Sequence, residues 1–284
     1  MMARLLVTGG SGFVGRRLLE RAGPGWERAA TYLRAASPVD GVVWQRLDLR
    51  DGAAVDACLA AARPDVVIHT AYDKADAEAV IARGTAHLTA AAARVGARVL
   101  LISTDLVFDG RRGRYREEDP PTPLDAYGTA KVAAERVVQA AGGLVARTSL
   151  VYRVHPPDRG NEALLVAPLA RGETPCLFVD EYRCPIHVDD LADALLELAA
   201  WPTAAWAALP GGGILHVAGP ERLDRYTFGT RLAPYLGIDP CRLRTGTLAA
   251  SGLVRAADCS LDTSRARAAL RTRLRPLAEV LAAG

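Results

Sequence analysis

Tyr127 and Lys131 stand four apart in Asp125-Ala126-Tyr127-Gly128-Thr129-Ala130-Lys131-Val132, so a helix beginning there carries both on one face. That spacing has a chemical use. A free phenol titrates near ~10, too high for easy proton exchange at neutral pH. An ammonium ~5 Å away, at an effective dielectric of ~20, favours the phenolate by about 3 kcal/mol, on the order of two pKa units. Lys131 is therefore expected to bring Tyr127 toward the range of a working acid or base. Chance also produces Tyr-x-x-x-Lys as a packed tyrosine beside a solvated lysine, so the pair needs company.

Two further stretches supply it. Arg98-Val99-Leu100-Leu101-Ile102 reads as a buried strand running straight into Ser103-Thr104-Asp105. At the carboxyl end of a parallel strand those hydroxyls face the ligand crevice. At the N-terminus, Leu5-Leu6-Val7-Thr8 leads into Gly9-Gly10-Ser11-Gly12-Phe13-Val14-Gly15 and then an apolar helical pattern with Leu18-Leu19. Gly9, Gly12 and Gly15 suit a tight turn, close approach of backbone to a pyrophosphate, and close helix–sheet packing. The helix starts at that turn, so its free N–H groups and positive dipole end face an anion. Gly9, Gly12, Phe13, Val14 and Gly15 are thus candidate contacts of a dinucleotide.

The elements that must position these groups follow in order. A second strand is expected over Glu27–Arg34, a third over Val42–Leu49 and a fourth over Asp65–Thr70. A long helix is expected from about Glu78 to Val95. Strands alternating with helices argue a doubly wound parallel sheet, a Rossmann-like α/β fold, with right-handed crossovers. The second strand ends in Arg34 where an NAD site would carry an acid on the ribose. A guanidinium there suits a 2′-phosphate, which favours NADP over NAD. Asp48 is a candidate acceptor for the adenine amino group, with Leu49 against the ring; a helix cap for the segment from Asp51 is the alternative. Ala71 and Tyr72 follow the fourth strand, where a small residue lets a cofactor come close. His69 reads as a packed strand histidine. Pro120, Pro121 and Pro123 bar a helix until about Leu124.

Composition sets bounds. The 284 residues are half hydrophobic, enough for a large core, and carry 35 Lys and Arg against 32 Asp and Glu for a net charge of +3. Interleaved charges of that balance read as solvated surface and argue against nucleic acid. No apolar run approaches the ~20 residues of a membrane span, and the chain enters a strand without a signal peptide. Cys58, Cys176, Cys184, Cys241 and Cys259 are odd in number and widely spaced, which fits idle thiols in a reducing cytoplasm better than disulfides or metal ligands.

Taken together, the stretches resemble the extended short-chain dehydrogenases/reductases, and more closely their dTDP-4-dehydrorhamnose reductase branch of sugar-nucleotide ketoreductases. The likeness rests on Val7–Gly15, Arg63–Ala71, Ser103–Gly110, Tyr127–Lys131, Arg147–Tyr152 and Pro185–Ala192 and runs end to end. It implies Thr104 as the group polarising a substrate carbonyl, Tyr127 as proton donor, and Lys131 as the residue that tunes it and holds the nicotinamide ribose. It implies Gly9, Gly12 and Gly15 at the pyrophosphate, Ala71 by the adenosine half, and Ser103 and Tyr72 among the cofactor contacts. The implied substrate is a nucleotide sugar, with Asp105 and Leu150 beside it; a homodimer is compatible with the likeness. The sequence departs from the family at Leu150, where tryptophan is usual, at Leu106, where an aromatic is usual, and at Ile81, where an asparagine is usual. An epimerase or dehydratase on the same scaffold, or a non-catalytic NADP-binding regulatory subunit, would share the motifs.

The second half carries fewer signals. Asn161 opens an apolar segment ending near Arg171-Gly172; it is either a helix N-cap or, by the resemblance, a contact of the substrate nucleotide. Leu177-Phe178-Val179 reads as a short strand, and Arg183 is a candidate to meet a diphosphate. A core helix is expected over Val188–Ala200, with Asp189-Asp190 as its charged first turn and not a metal site. A loop over 201–213, a strand over Ile214–Ala218, a helix over Tyr226–Leu236 and two short C-terminal helices complete the chain. Residues 1–150 are expected to form the dinucleotide-binding domain, with parts of 176–218 completing its sheet. Residues 151–284 are expected to form a mainly substrate-binding region, made of insertions on one crevice edge and lacking a separate second core.

Overall fold

The computed structural model describes residues 2–37, 39–156 and 160–283. Chain order begins β1 (Ala3–Thr8), α1 (Phe13–Arg21), β2 (Trp26–Tyr32), β3 (Val42–Arg46), α2 (Gly52–Ala62) and β4 (Val66–His69). A π-helical turn over Ala77–Arg83 runs into α3 (Gly84–Val95), followed by β5 (Arg98–Thr104), α4 (Ala126–Ala140) and β6 (Leu144–Thr148). Then come β7 (Val151–Tyr152), α5 (Ala163–Ala170), β8 (Cys176–Phe178), β9 (Tyr182–Arg183), β10 (Ile186–His187), α6 (Val188–Ala200) and β11 (Ile214–His216).

Seven strands form one sheet in the order β11-β6-β5-β4-β1-β2-β3, every pair parallel. Strand order reverses between β1 and β4, which opens a crevice at their carboxyl ends. The central strands are buried on both faces, so they read as apolar runs without alternation: all of Val66–His69 is buried, as is all of Leu144–Thr148. One apolar layer joins α1 and α6 to the sheet through Leu18, Leu19, Leu191, Leu195 and Leu198. The other joins α2, α3 and α4 through Val55, Leu59, Leu88, Ala134 and Val138.

Several expectations shift in detail. The third strand stops at Arg46, which leaves Asp48 in the turn beyond it. The first part of the long helix is π-helical over Ala77–Arg83. Short helical turns occupy Thr203–Ala207 inside the expected loop, and the helix expected over Tyr226–Leu236 is α-helical over Arg225–Leu232 and then 3₁₀ around Pro234. The completing strand is Ile214–His216; β8, β9 and β10 pair outside the main sheet.

The absence of a second core is corrected. Tyr152, Leu165, Leu177, Phe228, Leu232, Leu243, Leu277 and Leu281 form their own buried cluster beyond the sheet. Its members are scattered over 130 residues of sequence in short elements, so no periodic stretch announces it. A smaller cluster of Val107, Phe108, Tyr115, Cys184, Ala218, Cys259 and Leu261 lies under the turn after β5.

Candidate active site

The glycine turn is built by steric necessity. Gly9 has φ +68°, and a Cβ there would sit 2.8 Å from the Ala71 backbone. A Cβ on Gly15 would sit 2.3 Å from the Gly9 carbonyl oxygen. The turn is closed by the Gly12 N–H donating to Gly9 O at 2.9 Å and the Gly10 N–H donating to Thr31 O at 2.8 Å. Gly12 caps α1 without any side-chain cap, and the first helical turn has no acid. The amides at this helix end are therefore left to an anion. Ala71 packs against the turn, so its small size serves the same close approach. These features fit a dinucleotide pyrophosphate.

A crevice of about 1260 Å³ runs from this turn along the carboxyl ends of the strands. It is bordered by Gly9, Gly12, Phe13, Val14 and Gly15 at one end, by Thr104, Tyr127 and Lys131 midway, and by residues of the second half at the other. Arg34, Asp48, Leu49, Ala71 and Tyr72 border it near the glycine turn. Arg34 is exposed there. Asp48 accepts the Arg50 amide at 3.0 Å and pairs with its guanidinium at 2.6 Å; that guanidinium holds its carboxyl below the usual range. Asp51, and not Asp48, caps α2, accepting from the Ala54 N–H at 3.0 Å.

Asp125 caps α4 by accepting from the Gly128 N–H at 2.7 Å, which fixes where the helix begins. A Cβ on Gly128 would come 2.4 Å from Leu106 O, so only glycine lets α4 pack this closely on the turn after β5. That contact sets Tyr127 and Thr104 together on the crevice, with the Thr104 hydroxyl donating to Asp105 at 3.2 Å. Thr104 also accepts from the Leu106 N–H at 3.2 Å. Lys131 is buried and donates to Ile102 O at 2.8 Å, and burial lowers its pKa to about 8.

The tuning expected of Lys131 is not what the structure has. Burial dominates and pushes the Tyr127 phenol above its ordinary value, assisted by Tyr72, while the nearby Thr104 hydroxyl opposes the rise. Burial removes the water that stabilises a phenolate. Spacing alone says nothing of that cost. Ser103 borders the crevice, and its hydroxyl is already committed to buried Glu135, to which it donates at 2.5 Å. Glu135 is gripped in turn by Arg147 at 2.7 Å. Adjacent strand residues point to opposite sides, so Ser103 and Thr104 do not act as a pair.

Asp105 is fully buried, accepts from the Ser149 hydroxyl at 2.6 Å, and is raised in pKa by that burial. Leu150 and Asn161 border the crevice. Asn161 is not an N-cap; its amide donates to Val151 O at 2.9 Å, and α5 starts two residues later. Arg183 stands where the expectation puts it, with much of its donor capacity in use. It borders the crevice, yet its guanidinium is tied to the carbonyls of Tyr182, Ala257 and Ala256 at 2.7, 3.3 and 2.9 Å and ion-paired with Asp105 and Glu181. Arg225 also borders the crevice there; burial lowers its pKa to about 10, and it makes no side-chain hydrogen bond or ion pair among the described residues. Arg225 opens a helix whose N-cap is Asp224, and nothing in the sequence marks it. Lys74 and Val254 are other crevice residues that no motif signals.

His69 is the packed histidine expected, held between the Thr8 hydroxyl at 2.6 Å and the Thr85 hydroxyl at 3.0 Å. Asp189 and Asp190 pair with Arg17 and Arg275. All five cysteines are free, and no group of His, Cys, Asp and Glu fit for a metal occurs among the described residues. Among those residues no helix is long and apolar enough to cross a membrane.

A doubly wound sheet with a glycine turn at β1 and threonine, tyrosine and lysine gathered at β5 and α4 defines a class, the extended short-chain dehydrogenases/reductases. Within it, the chain belongs to the family described as RmlD substrate binding domain, whose sequence model matches residues 2–283. It is 36% identical over 284 residues to a dTDP-4-dehydrorhamnose reductase of Streptomyces griseus, covering 94% of this chain and 88% of the relative. It is 27% identical over 277 residues to methionine adenosyltransferase 2 subunit beta of Bos taurus, covering 92% and 81%. Among solved structures, a dTDP-4-dehydrorhamnose reductase from Bacillus anthracis in complex with NADP has the same fold, with TM-score 0.80, 21% identity and coverage of 100% and 98%.

Proposed function

We propose that this chain is an NADPH-dependent reductase of the keto group of a nucleotide-linked sugar, of the dTDP-4-dehydrorhamnose reductase kind. The observation that carries the reading is one continuous crevice. It joins an uncapped helix N-terminus behind a glycine turn to the Tyr127 phenol and the Thr104 hydroxyl, which border it together. Residues 1–150 hold the dinucleotide, and 151–284 supply the substrate side. Gly9, Gly12, Phe13, Val14 and Gly15 hold the pyrophosphate, with Ala71 and Tyr72 along the adenosine half. Arg34 meets the 2′-phosphate by charge and by its planar fork. When bound, the reduced nicotinamide supplies a hydride to the keto carbon.

The chain's own groups do the rest. Thr104 donates a hydrogen bond to the keto oxygen and aligns it with the phenol. Tyr127 gives that oxygen its proton; a phenol raised by burial stays protonated at neutral pH and is available to donate. Lys131, fixed on Ile102 O, holds the ribose and faces the phenolate left behind. Arg225 takes the diphosphate in place of Arg183, and Leu150 and Asn161 line the sugar nucleotide. The five free thiols fit a cytoplasmic location.

The test is turnover of dTDP-4-dehydrorhamnose with stoichiometric loss of NADPH absorbance. A recycled cofactor would indicate an epimerase or dehydratase. NADPH binding without turnover of any nucleotide keto sugar would indicate a regulatory subunit.

A further inference from the structure

We propose that Lys74 is a positioning residue for proton transfer: its ammonium, held over the face of the Tyr127 ring, makes that phenol a stronger acid. The inference rests on the reading of Tyr127 as proton donor. The chain leaves β4 at Thr70, and the close fit of Ala71 against Gly9 directs the next residues over the start of α4. A turn closed by the Ala75 N–H donating to Asp73 at 2.9 Å then presents Lys74. Its Nζ stands 4.6 Å from the Tyr127 ring centroid.

The neighbouring ring and ammonium are arranged differently. Tyr72 tilts against Tyr127 with centroids 6.1 Å apart, and Lys131 Nζ lies 5.8 Å from the Tyr72 ring. Lys131 is buried and bonded to Ile102 O, whereas Lys74 is exposed and carries no ion pair among the described residues. The loop's acids are engaged elsewhere, Asp76 with Arg50 and Asp73 with the Ala75 amide. No carboxylate among the described residues therefore pairs with the Lys74 ammonium over the ring.

The other groups facing the phenol are known. Asp125 on its own helix and Asp105 at the end of β5 oppose the phenolate, as does Tyr72, and the Thr104 hydroxyl favours it. A cation over an aromatic face is attracted by the ring electrons, and more so as the ring gains negative charge. The attraction strengthens when ligands exclude water from the crevice.

The experiment places trifluorotyrosine at position 127 of the full chain and follows its ¹⁹F resonance against pH, with and without Lys74→Met. Fluorination brings the phenol into an accessible range, and the readout needs no turnover. The midpoint is expected to rise by about half a pH unit or more in Lys74→Met and to return in Lys74→Arg. An unmoved midpoint overturns the proposal. With dTDP-4-dehydrorhamnose as probe, Lys74→Met is expected to lower kcat roughly five- to tenfold at unchanged KM for NADPH. It should also move the alkaline limb of the profile upward. A loss confined to KM for NADPH overturns the proposal, because Lys74 would then be a cofactor contact. Should the unsubstituted chain reduce no nucleotide sugar, the reductase reading fails while the ¹⁹F midpoint still decides this one.

Discussion

The Cβ that Gly128 lacks would lie 2.4 Å from the carbonyl oxygen of Leu106. That single clearance sets how closely α4 approaches the end of β5, and so whether Tyr127 reaches Thr104. A Gly128→Ala chain is expected to push the helix outward at a cost of about 1–3 kcal/mol. Turnover should fall by roughly a hundredfold, because small misplacements of a proton donor are costly. Thermal melting and kcat measured on the same preparation check this; full activity would mean the clearance does not position the phenol.

Behind the site, Glu135 and Arg147 form an ion pair that is almost completely buried, with Ser103 donating to the same carboxylate. Removing one charge of a buried pair leaves the other unpaired, at about 3–5 kcal/mol. Glu135→Gln is expected to lose stability of that order in denaturant titration. A loss under 1 kcal/mol would show that solvent reaches the pair.

Arg225 and Arg183 border the same end of the crevice, and under the proposed function they divide the work between ligand and fold. Arg225→Gln is expected to raise KM for the nucleotide sugar by about ten- to a hundredfold, the worth of a charge-assisted hydrogen bond. The Kd for NADPH and the melting temperature should stay near those of the unsubstituted chain. Arg183→Gln should do the reverse, lowering the melting temperature, because its partners are the carbonyls of Tyr182, Ala256 and Ala257. Calorimetry and substrate saturation curves separate the two. Equal behaviour of the two variants contradicts the division.

These contrasts show where the sequence is legible. The glycine turn, the strands and Tyr127–Lys131 were readable because each depends on local spacing or on apolar runs along one element. The Arg183 commitments, the Ser103–Glu135 bond and the second core all depend on residues tens of positions apart, and no local pattern encodes which partner a polar group meets. The phenol is the clearest case. Helical spacing brings an ammonium near Tyr127, but the sign of its shift is decided by desolvation, which only the packed chain defines.

Histidine burial sets a pH dependence of stability. Burial lowers His69 and His216 to about 3, so both remain neutral in the folded chain. Unfolded, each takes up a proton below about 6.5. The unfolded chain then binds more protons between those values, so stability is retained above pH ~6.5 and declines as pH falls toward 3. The decline is about 1.4 kcal/mol per pH unit for each histidine. Melting temperatures at pH 7.5 and 5.5 should differ, and His216→Gln should reduce the difference. An identical pH slope in that variant would remove His216 from the account.

The central claim is that Tyr127 delivers a proton to a keto oxygen in a crevice that also holds NADPH. Its most direct test is a single-turnover reaction of Tyr127→Phe with NADPH and dTDP-4-dehydrorhamnose, with cofactor binding followed separately by nicotinamide fluorescence. The account predicts that NADPH binds as tightly as to the unsubstituted chain while its oxidation is slowed by about 10²–10⁴-fold. Oxidation at the unsubstituted rate would contradict it.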